Sequence, residues 1–136
     1  MNTGAALTLA LFASLAGGCD WLTGDFRLSG FVEISPLLEA RAPKTNSVLF
    51  IIAQNAGGVP VAVHRIVNPE FPAVFNMSPQ DMLVPGIRRN EHLIIVARLN
   101  AHGILSAPKP GDLEGRSPDP AHPGDRGVKV RLDKAL

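Results

Sequence analysis

The sequence predicts an all-β fold, an immunoglobulin-like antiparallel sandwich of about seven short strands, and three observations carry that expectation. Twelve prolines and thirteen glycines lie between short apolar runs and leave no room for long helices. The runs are rich in β-branched residues, as in SVLFIIA at residues 47–53 and LIIVARL at residues 93–99. No helical period of apolar residues appears between them, which favours two packed sheets over a mixed fold. With 136 residues the chain has room for one domain, since single cores occupy roughly 100 to 200 residues.

The first strand covers residues 26–35, where Phe26, Leu28, Val32 and Ile34 share one face and Arg27, Ser29, Glu33 and Ser35 mainly the other. Ser35-Pro36 then opens a single helical turn through Arg41, with the serine side chain as its cap. The run at residues 47–53 reads as a strand enclosed between the two layers, with both Phe50 and Ile51 in the core. Asn55, Gly57 and Gly58 supply turn chemistry for a hairpin to a strand at residues 59–66. Weaker or shorter strands follow at residues 73–77 and 104–107, on either side of the apolar run at 93–99. Residues 108–126 form a loop rich in Pro, Gly and Asp, and the alternation V-K-V-R-L at residues 128–132 closes the fold as an edge strand.

Residues 5–16 are apolar and uncharged, a run of about a dozen that matches the core of a signal peptide and is too short to span a bilayer. It leads into Leu15-Ala16-Gly17-Gly18-Cys19, which resembles the lipobox of bacterial lipoproteins, with alanine at the position three before the cysteine where leucine is usual. The expected organisation is a signal peptide at 1–18, a lipidated tether at 19–25 and a β-sandwich at 26–136. Cys19 is the only cysteine, so it has no intrachain partner in the oxidising space a leader implies. The resemblance makes it the lipidation site and anchors the domain to a membrane. A buried free thiol is the plain alternative. Asp20 resembles the signal that keeps enteric lipoproteins on the inner membrane, so the expected location is the periplasmic face of that membrane, with the outer membrane as the alternative.

Acids and bases are mixed along the chain, with a formal charge of +1, and no basic stripe suggests nucleic acid as a partner. No serine lies in a G-x-S-x-G elbow and no C-x-x-C or C-x-x-C-H is present, so the chain is expected to be neither an enzyme nor a carrier of a redox centre or covalent haem. His64, His92, His102 and His122, with Met77 and Met82, are of types that suit copper, but no pair has a ligand spacing and the cysteine sits far from them. No metal or other cofactor is assigned. Gly111, Asp112, Leu113, Glu114 and Gly115 are the candidate partner-binding residues, read as a loop with solvated carboxylates around an exposed leucine. The alternative is a structural turn whose glycines meet backbone demands.

Three stretches together resemble the carboxy-terminal immunoglobulin-like domain of the cytochrome c biogenesis factor CcmI, also called CycH. The first is Ser35-Pro36-Leu37-Leu38 with the strand VLFIIAQ after it. The second is Gly58-Val59-Pro60-Val61-Ala62-Val63-His64-Arg65, followed by Phe71-Pro72 and Met82-Leu83-Val84-Pro85-Gly86. The third is Ala97-Arg98-Leu99, Gly103 and Pro110-Gly111-Asp112-Leu113-Glu114-Gly115. The family's membrane helices and helical repeats have no counterpart here, and its L-D-D before the methionine turn is replaced by Asn76-Met77-Ser78-Pro79-Gln80-Asp81. The resemblance implies a stand-alone lipoprotein that binds a protein partner during cytochrome c biogenesis, with apocytochrome c or the haem-ligation machinery as that partner. The alternatives are an envelope copper-binding lipoprotein and a structural lipoprotein subunit of a membrane complex.

Overall fold

A computed structural model describes residues 26–136. The expected leader, Cys19 and the tether lie outside the described residues. Eight strands follow one another: β1 Leu28–Ile34, β2 Val48–Gln54, β3 Pro60–Val67, β4 Ala73–Met77, β5 Ile94–Asn100, β6 Leu113–Arg116, β7 Val128–Leu132 and β8 Lys134–Ala135. They form a three-stranded sheet in the order β4-β1-β7 and a five-stranded sheet in the order β3-β2-β5-β6-β8. The expected all-β sandwich is thus the observed architecture. Every strand pair is antiparallel except β1 with β7, which run parallel from Gly30 opposite Val128 to Ile34 opposite Leu132.

The inner faces of the two sheets meet in one core. Leu28 and Val32 of β1, Phe75 and Met77 of β4 and Val130 and Leu132 of β7 pack against Leu49 and Ile51 of β2, Ile95 and Leu99 of β5 and Leu113 of β6. The alternation read from the sequence of β1 and β7 follows from this, because only every second side chain of a pleated strand can reach the opposite sheet. The β2–β3 hairpin is closed by Asn55, whose side-chain oxygen accepts the N–H groups of Gly57 and Val59, both at 3.0 Å.

Four details depart from the sequence reading. Residues 104–107 are not a strand: the Asn100 side chain accepts the Gly103 N–H at 2.7 Å and donates to the Ile104 carbonyl at 3.2 Å, which turns the chain out of the sheet. The place beside β5 is taken instead by β6, from inside the stretch read as loop. Four residues that include a glycine are too few to show a period. Ser35 does not cap the turn that follows with its side chain; its backbone carbonyl accepts the Leu38 N–H, and the short 3-10 turn Glu39–Arg41 starts after Leu38 without a side-chain cap. Finally, Ile51 lies between the sheets but Phe50 does not. It packs with Ile52 and Val96 in a second cluster on the outer face of the five-stranded sheet.

Candidate interaction site

The stretch read as a recognition loop is structural at its centre. Leu113 is fully enclosed in the main core, which corrects its expected exposure, and it pairs with Leu99 across the β5–β6 ladder. Gly115 lies under β7, where a Cβ would collide with the Arg131 carbonyl oxygen, so only glycine lets β6 pass so close to a strand of the other sheet. Gly111 is exposed with φ +98°, a conformation that side chains disfavour, and its N–H donates to the Leu136 carbonyl.

The two carboxylates are not solvated either. Asp112 is buried, accepts the Lys109 N–H at 2.9 Å and faces His102 Nε2 at 3.0 Å. Glu114 stands opposite Arg98 on the neighbouring strand and accepts from its Nε and Nη2 at 3.3 and 2.9 Å. The third nitrogen of that guanidinium donates to the Leu105 carbonyl at 3.1 Å. Both acids therefore hold the same excursion of the chain, residues 101–110: Asp112 ties its two ends, and Glu114 positions the arginine that pins its middle. A carboxylate that is both buried and bonded in this way serves geometry before it serves a partner.

The pinned segment shapes a surface that the sequence reading missed. Leu105 lies against Phe50, Ile52 and Val96, with Val48, Val63 and Ile94 at the margin of the cluster. Beside it a groove of about 400 Å³ runs between Ile52, Gln54 and Pro60 on one side and Arg98, Leu105, Ser106 and Pro108 on the other. The signal in the sequence was Arg98, the one charge inside LIIVARL: it marks the outer face of β5, and Ile94 and Val96 share its parity.

The groove reaches β3 at Pro60, and the outer edge of that strand is covered over only part of its length. β3 is the last strand of its sheet. The Val61 carbonyl faces outward to accept the Leu83 N–H, whereas Asn68 donates inward to the Ser47 carbonyl. Alternation between these two points aims the backbone groups of Val63, Arg65 and Val67 outward. The segment at Met82 bridges to Ala62 and covers the edge as far as Val63, and among the described residues no backbone group bonds to Arg65 and Val67 from that side. Val67 is 57% exposed.

The histidines fall in three places. His64 faces Asp81, His102 faces Asp112, and the rings of His92 and His122 meet edge-on with centroids 4.6 Å apart. Met77 is buried in the main core and Met82 packs against it. The copper reading requires these side chains to converge, and among the described residues no group of three potential His, Cys, Asp or Glu ligands gathers.

Fold and surface together define a two-sheet β-sandwich with an apolar groove on the outer face of its larger sheet and an edge strand open at Arg65 and Val67. The chain belongs to the family described as the cytochrome c-type biogenesis protein H Ig-like domain, which matches residues 28–133. It is also similar to an uncharacterised protein of Aquifex aeolicus (strain VF5), 31% identical over 110 residues that make up 80% of this chain and 71% of that protein. Among solved structures, an alternative pilotin from the type II secretion system of Vibrio cholerae shares the fold, with a TM-score of 0.51, 13% identity and coverage of 83% of this chain and 98% of that one.

Proposed function

We propose that this protein is a lipid-anchored binding module of cytochrome c maturation, held at the periplasmic face of the inner membrane through Cys19, and that it acts on its client without catalysing a reaction. Membership of the cytochrome c-type biogenesis protein H Ig-like family over residues 28–133 carries the process. The open β3 edge supports the mode of binding. An extended client segment, as an unfolded apocytochrome or a flexible part of the haem-ligation machinery would offer, adds a strand beside Arg65 and Val67. Backbone hydrogen bonds supply affinity, and alternate client side chains reach the outer apolar face, where Val63 and Leu105 provide contact.

Deleting the gene in its host is expected to lower haem-stained holocytochrome c while apocytochrome synthesis continues. Normal holocytochrome levels would end the proposal. In complementation, Arg65→Pro removes an outward-facing N–H without taking a bond from the β2 ladder, so it should fail to restore cytochrome yield while keeping a cooperative melt. Full rescue by that variant would remove the β3 edge from the mechanism. The anchor has its own readout: an intact mass that lacks residues 1–18 and carries acyl chains on Cys19. An unmodified Cys19 would take the anchor out of the proposal and leave the binding edge.

A further inference from the structure

A cleft of about 640 Å³ lies at the end of the sandwich where the chain enters the fold. Phe26 is buried there, and the next residues, Arg27 to Ser29, form one wall. Asn76 and Met77 at the end of β4, Ile87 and Arg89, and residues 123–126 complete it. The walls are tied together through backbone: Gly124 donates to the Arg27 carbonyl, and Ser29 donates to the Asp125 carbonyl at 3.0 Å.

Three exposed guanidinium groups, Arg27, Arg89 and Arg126, come together at this cleft from segments far apart in the sequence. One carboxylate, Asp125, accompanies them, and it is engaged in its own turn, where it accepts the His122 N–H at 2.9 Å. Among the described residues none of the three arginines enters an ion pair. The whole chain has 13 basic and 12 acidic residues, so the excess at this end is local rather than a share of a general positive charge.

We infer that the Arg27/Arg89/Arg126 cleft is a membrane-facing surface that seats on the phosphate headgroups of an anionic phospholipid bilayer. The inference rests on the anchoring through Cys19 proposed above. Seven peptide links separate Cys19 from Phe26, a reach of at most about 25 Å. The end of the domain that the tether joins is therefore the end with the shortest path to the headgroups, and it is the end that carries the cations. A guanidinium matches phosphate oxygens with two parallel hydrogen bonds, which an ammonium cannot do. Three such groups on separate segments of one rigid end fix an orientation as well as an attraction, so the lipid anchor sets the distance and the arginines set which side faces the membrane.

The test uses the full chain purified from its host and mixed with vesicles of phosphatidylcholine alone or of phosphatidylcholine with phosphatidylglycerol. Flotation reports anchoring, and phenylglyoxal modification read by mass spectrometry reports headgroup contact. Phosphatidylglycerol should slow modification of Arg27, Arg89 and Arg126 roughly fivefold each, the protection expected for one basic residue at an anionic surface, and leave Arg41 and Arg65 unchanged. The R27Q/R89Q/R126Q variant should float with both vesicles as before, with Arg41 and Arg65 modified at the parent's rate, which shows that the anchor and the fold are intact without the three arginines. Flotation with both vesicles and equal modification of the three arginines would overturn the surface and keep the anchor. Flotation with phosphatidylglycerol only, with the three protected, would uphold the surface and remove the anchor. Protection of all five arginines alike would reduce the effect to general adsorption, and equal protection by free inorganic phosphate would assign the cleft to a soluble anion; either result overturns the inference, as does failure to float with any vesicle.

Discussion

The two faces of β2 are built from the same kind of residue and have different surroundings. Leu49, Ile51 and Ala53 face the opposite sheet and join a core of nineteen buried residues. Phe50 and Ile52 face away, in a cluster with one further buried residue, Val96, and are covered by Leu105 from an irregular segment. One face is closed by the strands of the opposite sheet. The other is closed by an excursion of the chain that two carboxylates and an arginine hold down. The outer face, apolar and lightly covered, is the one on which the proposed client would find apolar contact.

Truncation should separate the two faces. Ile51→Ala is expected to cost about 3 to 5 kcal/mol in denaturant unfolding, because it opens a cavity between sheets that cannot collapse. Phe50→Ala removes more atoms yet should cost only about 2 kcal/mol, since its site can relax toward solvent, and it should weaken client capture. Equal losses in the two variants would break the comparison and make the outer cluster a second core. Next in size is the clamp: replacing Asp112 by alanine strands the donors it satisfies and should cost about 1 to 3 kcal/mol. Hydrogen exchange is the sharper measurement, with faster exchange expected at residues 101–110 and unchanged protection along β2. Loss of protection in both regions would show that the clamp holds the sheet rather than the segment.

The smallest effect belongs to the outer face of the three-stranded sheet, where Glu33 meets Arg131 at 2.8 Å and Lys129 at 3.2 Å. The Arg131 guanidinium first and the Lys129 ammonium second hold the Glu33 carboxyl below its ordinary value of 4.5. A carboxylate depressed in the folded state stabilises above that ordinary value, and the contribution is lost as pH falls through the lower, folded value. Glu33→Gln should therefore melt slightly below the parent at neutral pH, with the gap closing in acid. Exposure and screening keep the gap small. A gap that widens toward acid would show that Glu33 does not act through its charge.

Much of the fold was legible because period-two alternation and turn residues are local properties: β1 and β7 alternate as read, and Asn55 closes the hairpin its sequence announced. The motif at residues 110–115 was legible as a family signature but not as a role. Asp112 and Glu114 look like solvated turn residues until His102, Lys109 and Arg98 are placed beside them. Likewise a run such as VLFIIAQ shows that a strand is apolar on both sides, not that its sides belong to clusters of different size.

By itself the sequence determined the all-β class, the positions of six strands and the family, since each depends on residues near one another in the chain or on their order along it. Only the tertiary structure decided that β6 rather than residues 104–107 lies beside β5, that Phe50 faces away from the main core, and that Arg27, Arg89 and Arg126 share one cleft. Those outcomes depend on which distant segments fill a common space, and close packing settles that for the whole chain at once.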